Sequence, residues 1–190
     1  KIVHKDEIKI PGLHNVENYL TAISLLHGDV PNEAFAETAR EFGGVEHRIE
    51  FVRELDGVKY YNDSIATSPV SVIAGLNSFG RRIIVIAGGS DKKLDYSQLA
   101  EPINTYVKTL VLLGETADSI EAAVKAYPHY STDKCRIVRV KTMEEAVNAA
   151  QKSAKNGDVV TLSPASASFD LYKNFEERGQ HYKDIVNSLK

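Results

Sequence analysis

Four short apolar runs recur along the chain: RIIVIA from Arg82, VKTLVLL from Val107, RIVRV from Arg136 and DVVTL from Asp158. Each is separated from the next by a helical segment of about a dozen residues. Strands that run parallel cannot be joined by a tight turn and need such a crossover. Runs that are apolar at nearly every position suit strands covered on both faces, because a half-exposed strand alternates instead. The pattern predicts an α/β domain over residues 45–190, a doubly wound, mostly parallel sheet with helices on both faces, closed by a last helix over Glu176 to Leu189. At its start, IEFVREL and VKYYND are joined by Asp56-Gly57 and read as a hairpin or two close strands.

Residues 1–44 follow a different grammar. A short strand ends at Pro11-Gly12, and Asn15 is placed to cap a helix carrying Val16, Tyr19, Leu20, Ile23 and Leu26 at helical spacing until Gly28 stops it. A second helix begins after Pro31, with Ala34, Phe35, Thr38, Ala39 and Phe42 before the hinge candidate Gly43-Gly44. This stretch reads as the remnant of another domain, and an opening Lys1 in place of methionine reads as a fragment.

Several function classes are disfavoured. A net charge of −3 with interspersed signs offers no basic stripe for a phosphate backbone, so nucleic acid is not expected as a partner. No run approaches the roughly 20 apolar residues of a membrane span, and a cytoplasmic protein is expected. The single cysteine, Cys135, can form neither an internal disulfide nor a cysteine metal cluster. His4, His27, His129 and His181 lie in no metal-ligand spacing, and no metal site is expected within the chain. No GxSxG, GxGxxG or GxxxxGK[ST] motif occurs, which argues against an esterase-like nucleophile, a dinucleotide fingerprint and a phosphate loop.

In open α/β sheets, ligands bind beyond the carboxyl ends of the strands. Three segments fall there: NDSIATSP, GGSDKKLD and SPASASFD. Asp63 is placed to accept hydrogen bonds from a ribose diol, while Asn62 and Ser64 suit either a site or a turn that caps the next helix. Gly88-Gly89 permits a turn from which Lys92 or Lys93 swings over the crevice as a point charge for a carboxylate or phosphate. Arg48 is suited to stack on a base or pair with phosphates. Glu144-Glu145 and Glu176-Glu177 lie at helix beginnings, where acids favour the macrodipole.

Taken in order, GLHNVEN, VEHRIE, NDSIATSP, GGSDKKLD and LSPASASFDLYKNFEERG resemble the carboxyl-terminal part of the Mur ligase family, and within it the branch that adds D-glutamate to UDP-N-acetylmuramoyl-L-alanine in peptidoglycan synthesis. The resemblance runs from about Gly12 to the end. It implies a Rossmann-like amino-acid-binding domain over 45–190, preceded by the tail of a central ATPase domain. It implies ATP as co-substrate, Mg²⁺ held outside this stretch, an acyl-phosphate intermediate and a monomer.

By match to these motifs, Asn15 and Asn18 would lie near the adenine, one helical turn apart, with Arg48 and Asp63 also beside ATP. Lys92 and Thr67 would hold one carboxylate of D-glutamate, and Ser168, with Phe169 and Phe175, the other. His47 would assist Lys92 in positioning, and no residue here is assigned as acid or base. Two departures stand out. Ile65 occupies the lysine position of the familiar NDSKAT form, which leaves more of that load to Lys92 or Lys93; Ser166 replaces the cysteine of SPACAS, a near-isosteric change expected to be tolerated. The rival enzyme readings are a related Mur ligase or a folylpolyglutamate synthase. Outside the family stand a redox Rossmann module and a non-catalytic interaction domain.

Overall fold

The computed structural model describes residues 1–10 and 12–190, and all of their side chains except that of His14. Pro11, expected to end a strand, lies outside the described residues. Two compact units divide at Val45/Glu46.

In residues 1–45 no strand forms among the described residues; Lys5–Glu7 is a single 3₁₀ turn instead. The cause is local. The His4 side chain accepts from the Asp6 amide and Glu7 reaches back to the His4 amide, so the backbone groups a strand would need are used within the turn. Helix α1 spans Leu13–Leu26 and α2 spans Asn32–Glu41. Asn15 is not the cap that its type suggests: the cap position is Gly12, three residues earlier, and α1 begins at Leu13. Helix α2 buries Phe35, Ala36 and Ala39, and Arg40 forks onto Glu7 at 2.7 and 2.9 Å.

Residues 46–190 form one six-stranded sheet. Strands β1 (Glu50–Leu55) and β2 (Val58–Asn62) pair antiparallel; β3 (Ile83–Ala87), β4 (Val107–Leu112), β5 (Arg136–Arg139) and β6 (Val159–Leu162) continue it in parallel, in the order β1-β2-β6-β3-β4-β5. The β1–β2 turn has positive φ at both Asp56 and Gly57, the twist a two-residue hairpin demands. Helices α3 (Pro69–Phe79), α4 (Ala100–Tyr106) and α5 (Ala117–Lys125) cover one face, and α6 (Met143–Ser153) and α7 (Phe175–Ser188) the other. Strand β3 shows why its sequence is apolar throughout: Ile83, Val85 and Ala87 enter one core, and Ile84 and Ile86 the other.

Caps mark where these helices begin. Ser68 accepts from the Ser71 amide with Pro69 following it, Thr142 from Glu145, and Asn174 from Glu177. The cap of α3 is therefore Ser68, whereas Asn62 and Ser64 make an Asx turn of their own, the Ser64 amide donating to Asn62 Oδ1 at 3.1 Å. No helix among the described residues is long and apolar enough to cross a membrane.

Candidate functional site

Strands β2, β6 and β3 are neighbours, so the three polar segments predicted at strand ends emerge side by side. Backbone bonds sew them together. The Asp63 amide donates to Leu162 O at 2.8 Å, Ala165 to Ala66 O at 2.9 Å, Gly88 to Pro164 O at 2.8 Å and Ser90 to Ala167 O at 2.9 Å. A Cβ on Gly89 would run into Ala167 O, so glycine is what allows the second and third segments to approach this closely.

The glycine turn is not an anion cradle. Its amides are committed inside the protein: Gly88 to Pro164 O, Gly89 to Thr116 Oγ1, Ser90 to Ala167 O and Asp91 to Glu115 Oε2. A phosphate loop needs these donors free, so its spacing and its geometry agree in excluding one. The turn does present Lys92, exposed at its tip, with Nζ 5.5 Å from the centre of the Phe169 ring.

Behind the turns lies a chain of buried hydroxyls. Ser166 Oγ meets Tyr96 OH at 2.9 Å and Thr116 Oγ1 at 2.8 Å, and Thr116 contacts both the amide and the carbonyl of Gly89. A consistent assignment runs Tyr96 to Ser166 to Thr116 to Gly89 O, each hydroxyl donating once. The serine that replaces cysteine in this motif is therefore a working member of the network.

Asp63 faces inward. Only 4% exposed, its carboxyl group accepts from Ser163 Oγ at 2.8 Å and from the Ile49 amide at 3.2 Å. Burial pushes its pKa up to about 7, against the lowering effect of those bonds and of Arg48. The second bond has a structural consequence. His47 and Ile49, on either side of Arg48, both have positive φ, at 63° and 46°. For a β-branched residue such as Ile49 this conformation is strained. It is held by the Asp63 bond, by the His47 amide on Glu50 Oε2 at 2.9 Å and by Ile65 N on His47 O at 3.2 Å. The result is an exposed Arg48 on a rigid turn.

The His47 ring is buried, its Nδ1 2.8 Å from Asn62 Nδ2 and its edge against Phe175 with centroids 6.0 Å apart. Glu46, His47 and Glu50 bring ligand-type atoms within 4.8 Å of one another, a grouping the sequence did not suggest. Lys183 Nζ bonds both Glu46 and Glu50, and the Asn62 amide bonds Glu50 at 3.0 Å, so one ammonium balances half of the pair's negative charge and both carboxylates are engaged within the protein.

The other expected residues fall as follows. Thr67 is half-buried on the segment after β2, Ser168 is buried on the segment after β6, and Phe169 is 64% exposed beside it. Phe175 opens α7, and its carbonyl accepts from Ser64 Oγ at 2.8 Å. Asn15 and Asn18 lie on one face of α1, linked side chain to side chain at 3.3 Å. Thr67, Lys92, Ser168 and Phe169 thus lie on the segments after β2, β3 and β6 and Phe175 at the start of α7, all within the second unit, with Lys92 and Phe169 in contact, while Asn15 and Asn18 belong to the first.

Arg178, Tyr96, Thr116 and Gly179 had no role in the sequence reading. Arg178 had a usable signal: in α7 it falls in line with Phe175, Tyr182 and Val186, so an arginine occupies the apolar stripe.

Residues 47–166 match the family model described as Mur ligase, glutamate ligase domain. The chain is 51% identical over 191 residues to the UDP-N-acetylmuramoylalanine--D-glutamate ligase of Acetivibrio thermocellus and 48% identical over 189 residues to that of Clostridium tetani. All of this chain is covered in both cases, but only 41% of each relative's length. Its fold is similar to that of a UDP-N-acetylmuramate-alanine ligase from Thermotoga maritima, with a TM-score of 0.70 at 18% identity over 96% of this chain and 40% of that one. A Mycobacterium tuberculosis folylpolyglutamate synthase complexed with ADP gives a TM-score of 0.66 at 11% identity over 95% of this chain and 42% of the other. The chain belongs to the Mur ligase family and carries its glutamate ligase domain.

Proposed function

We propose that this chain is the carboxyl-terminal part of an ATP-dependent ligase that joins D-glutamate to UDP-N-acetylmuramoyl-L-alanine during peptidoglycan synthesis. Residues 1–44 are then the tail of the central ATPase domain, and 45–190 the domain that binds the incoming amino acid. ATP phosphorylates the carboxylate of the nucleotide-linked substrate; the D-glutamate amine attacks the acyl carbon, phosphate leaves, and an amide forms. The substrates are small molecules, and the protein works as a cytoplasmic monomer without nucleic acid or membrane.

Lys92 and Thr67 hold one carboxylate of D-glutamate; Ser168, with Phe169 and Phe175, holds the other. A cation with hydroxyl donors is apt for a carboxylate, and the rigid turns supply positioning rather than proton transfer. His47, wedged against Phe175, helps to position this end of α7. Arg48 and Asp63 of the second unit, and Asn15 and Asn18 of the first, are assigned to ATP. The exposed Arg48 guanidinium fits a phosphate or an adenine face. Asp63 acts there through the turn it holds and the lone pairs left on its carboxyl group. Magnesium is held by residues outside this chain.

The observation that carries this reading is the meeting of three strand-end turns around an exposed lysine that makes no ion pair among the described residues, in a chain half identical to named D-glutamate ligases. The exposed Leu13, Leu20 and Leu25 of α1 suit a unit whose core is completed by residues elsewhere. The test is phosphate release by the full-length protein. With ATP and UDP-N-acetylmuramoyl-L-alanine, release requires D-glutamate. The 190-residue chain alone, which has no phosphate loop, releases none.

A further inference from the structure

Among the described residues, Arg178 is a buried charge with four hydrogen bonds. It is 2% exposed, and burial lowers its pKa to about 10, which leaves it protonated at neutral pH. It forms no ion pair among the described residues. Its guanidinium is spent on two loops: Nε donates to Ser64 Oγ at 3.0 Å and Nη2 to Ser64 O at 2.9 Å, while Nη1 donates to Ser166 O at 3.0 Å and Ala167 O at 2.9 Å. All four hydrogen-bond acceptors are neutral, and the nearby Asp170 carboxylate only partly offsets the cost of burying the cation.

Two of the four acceptors have a second duty beside the strand-end turns. Ser64 Oγ donates onward to Phe175 O, three residues before Thr67 in the same segment. Ala167 O also accepts from the Ser90 amide, which sets the turn that carries Lys92, and Ala167 immediately precedes Ser168. A planar fork with fixed donor directions is the one side chain that can register three such segments at once.

We infer that Arg178 is a positioning residue for the amino-acid acceptor: it clamps the loops after β2 and β6, and through Ala167 the turn after β3, so that Thr67, Lys92 and Ser168 converge on one ligand. This rests on the reading of the crevice as the D-glutamate site. Lysine cannot reproduce the clamp, since an ammonium keeps the charge but not the fork.

The experiment compares the full-length protein with Arg178→Lys and Ser64→Ala, measuring KM and kcat for D-glutamate and ATP together with Tm. Loss of charge-assisted bonds that align a pocket is expected to raise the KM for D-glutamate about tenfold or more in R178K, and the KM for ATP about threefold or less. S64A, which removes only the Nε partner and the Phe175 link, is expected to shift the same ratio in the same direction by a smaller factor. A folded R178K with a lowered Tm but an unchanged D-glutamate KM overturns the inference. If R178K gives no folded protein, an unchanged KM ratio in S64A overturns it. A parent protein that ignores D-glutamate altogether overturns the functional reading instead, and the two failures are distinct.

Discussion

The Ser163 hydroxyl donates a 2.8 Å hydrogen bond to the Asp63 carboxyl group across 100 residues of sequence, joining the end of β6 to the end of β2. Burial nevertheless raises the pKa of that carboxyl from 3.8 to about 7. The folded state thus holds the proton more tightly than an unfolded chain does. The contribution to stability is full below 3.8 and is lost as pH rises to about 7. Asp63→Asn removes this titration, so the Tm of the variant should gain on that of the parent as pH rises from about 5 to about 8. Parallel Tm curves, or a gain in the opposite direction, contradict the assignment.

Gly179 sits in the middle of α7, where alanine is worth about 1 kcal/mol more than glycine by helix propensity. Packing opposes this. A Cβ at Gly179 would overlap the His47 ring and lie 3.1 Å from Asn62 Nδ2, and that ring is fixed between α7 and β2. Gly179→Ala should therefore destabilise the protein by about 1–3 kcal/mol, as overpacking does. Chemical denaturation gives the sign directly, and a stabilised variant means that His47 is free to move.

Both features show what a linear pattern conveys. The alternating apolar runs mark β3 to β6 and their crossovers because burial on both faces leaves no polar position in IIVIA and only Thr161 in VVTL. The Asp56-Gly57 hairpin is legible because two positive φ values restrict the choice of residue. The opening KIVHKDEIKI is not, since its apolar spacing matches a strand while His4 and Glu7 close a local turn. The site is legible as three motifs but not as one object: β6 inserts between β2 and β3 only in space. Arg178 goes unnoticed because an arginine on a helix is normally solvated, and only the fold reveals four carbonyl and hydroxyl acceptors around it.

Ser166→Cys tests the hydroxyl chain. A thiol is a poor donor, so the links to Tyr96 and Thr116 weaken while the volume is nearly kept. A loss of about 0.5–1.5 kcal/mol in unfolding free energy is expected, with the protein still folded. A loss beyond about 4 kcal/mol would mean that the network does more than tether Gly89.

Lys92 projects from its turn beside the Phe169 ring and makes no hydrogen bond or ion pair among the described residues, so its removal leaves the bonds between the three turns intact. In the full-length protein, Lys92→Ala should raise the KM for D-glutamate at least tenfold, the cost of one charge-assisted contact, and that for ATP much less. Equal increases for both substrates point to a phosphate role for Lys92 instead.

The most direct measurement is acceptor choice by the full-length protein. ADP formation would be followed with ATP, Mg²⁺ and UDP-N-acetylmuramoyl-L-alanine, offering D-glutamate, L-glutamate and L-alanine in separate reactions. The proposed roles of Thr67, Lys92, Ser168, Phe169 and Phe175 in holding both carboxylates of one enantiomer predict turnover with D-glutamate alone. Turnover with L-alanine, or equal rates with the two glutamate enantiomers, would contradict it.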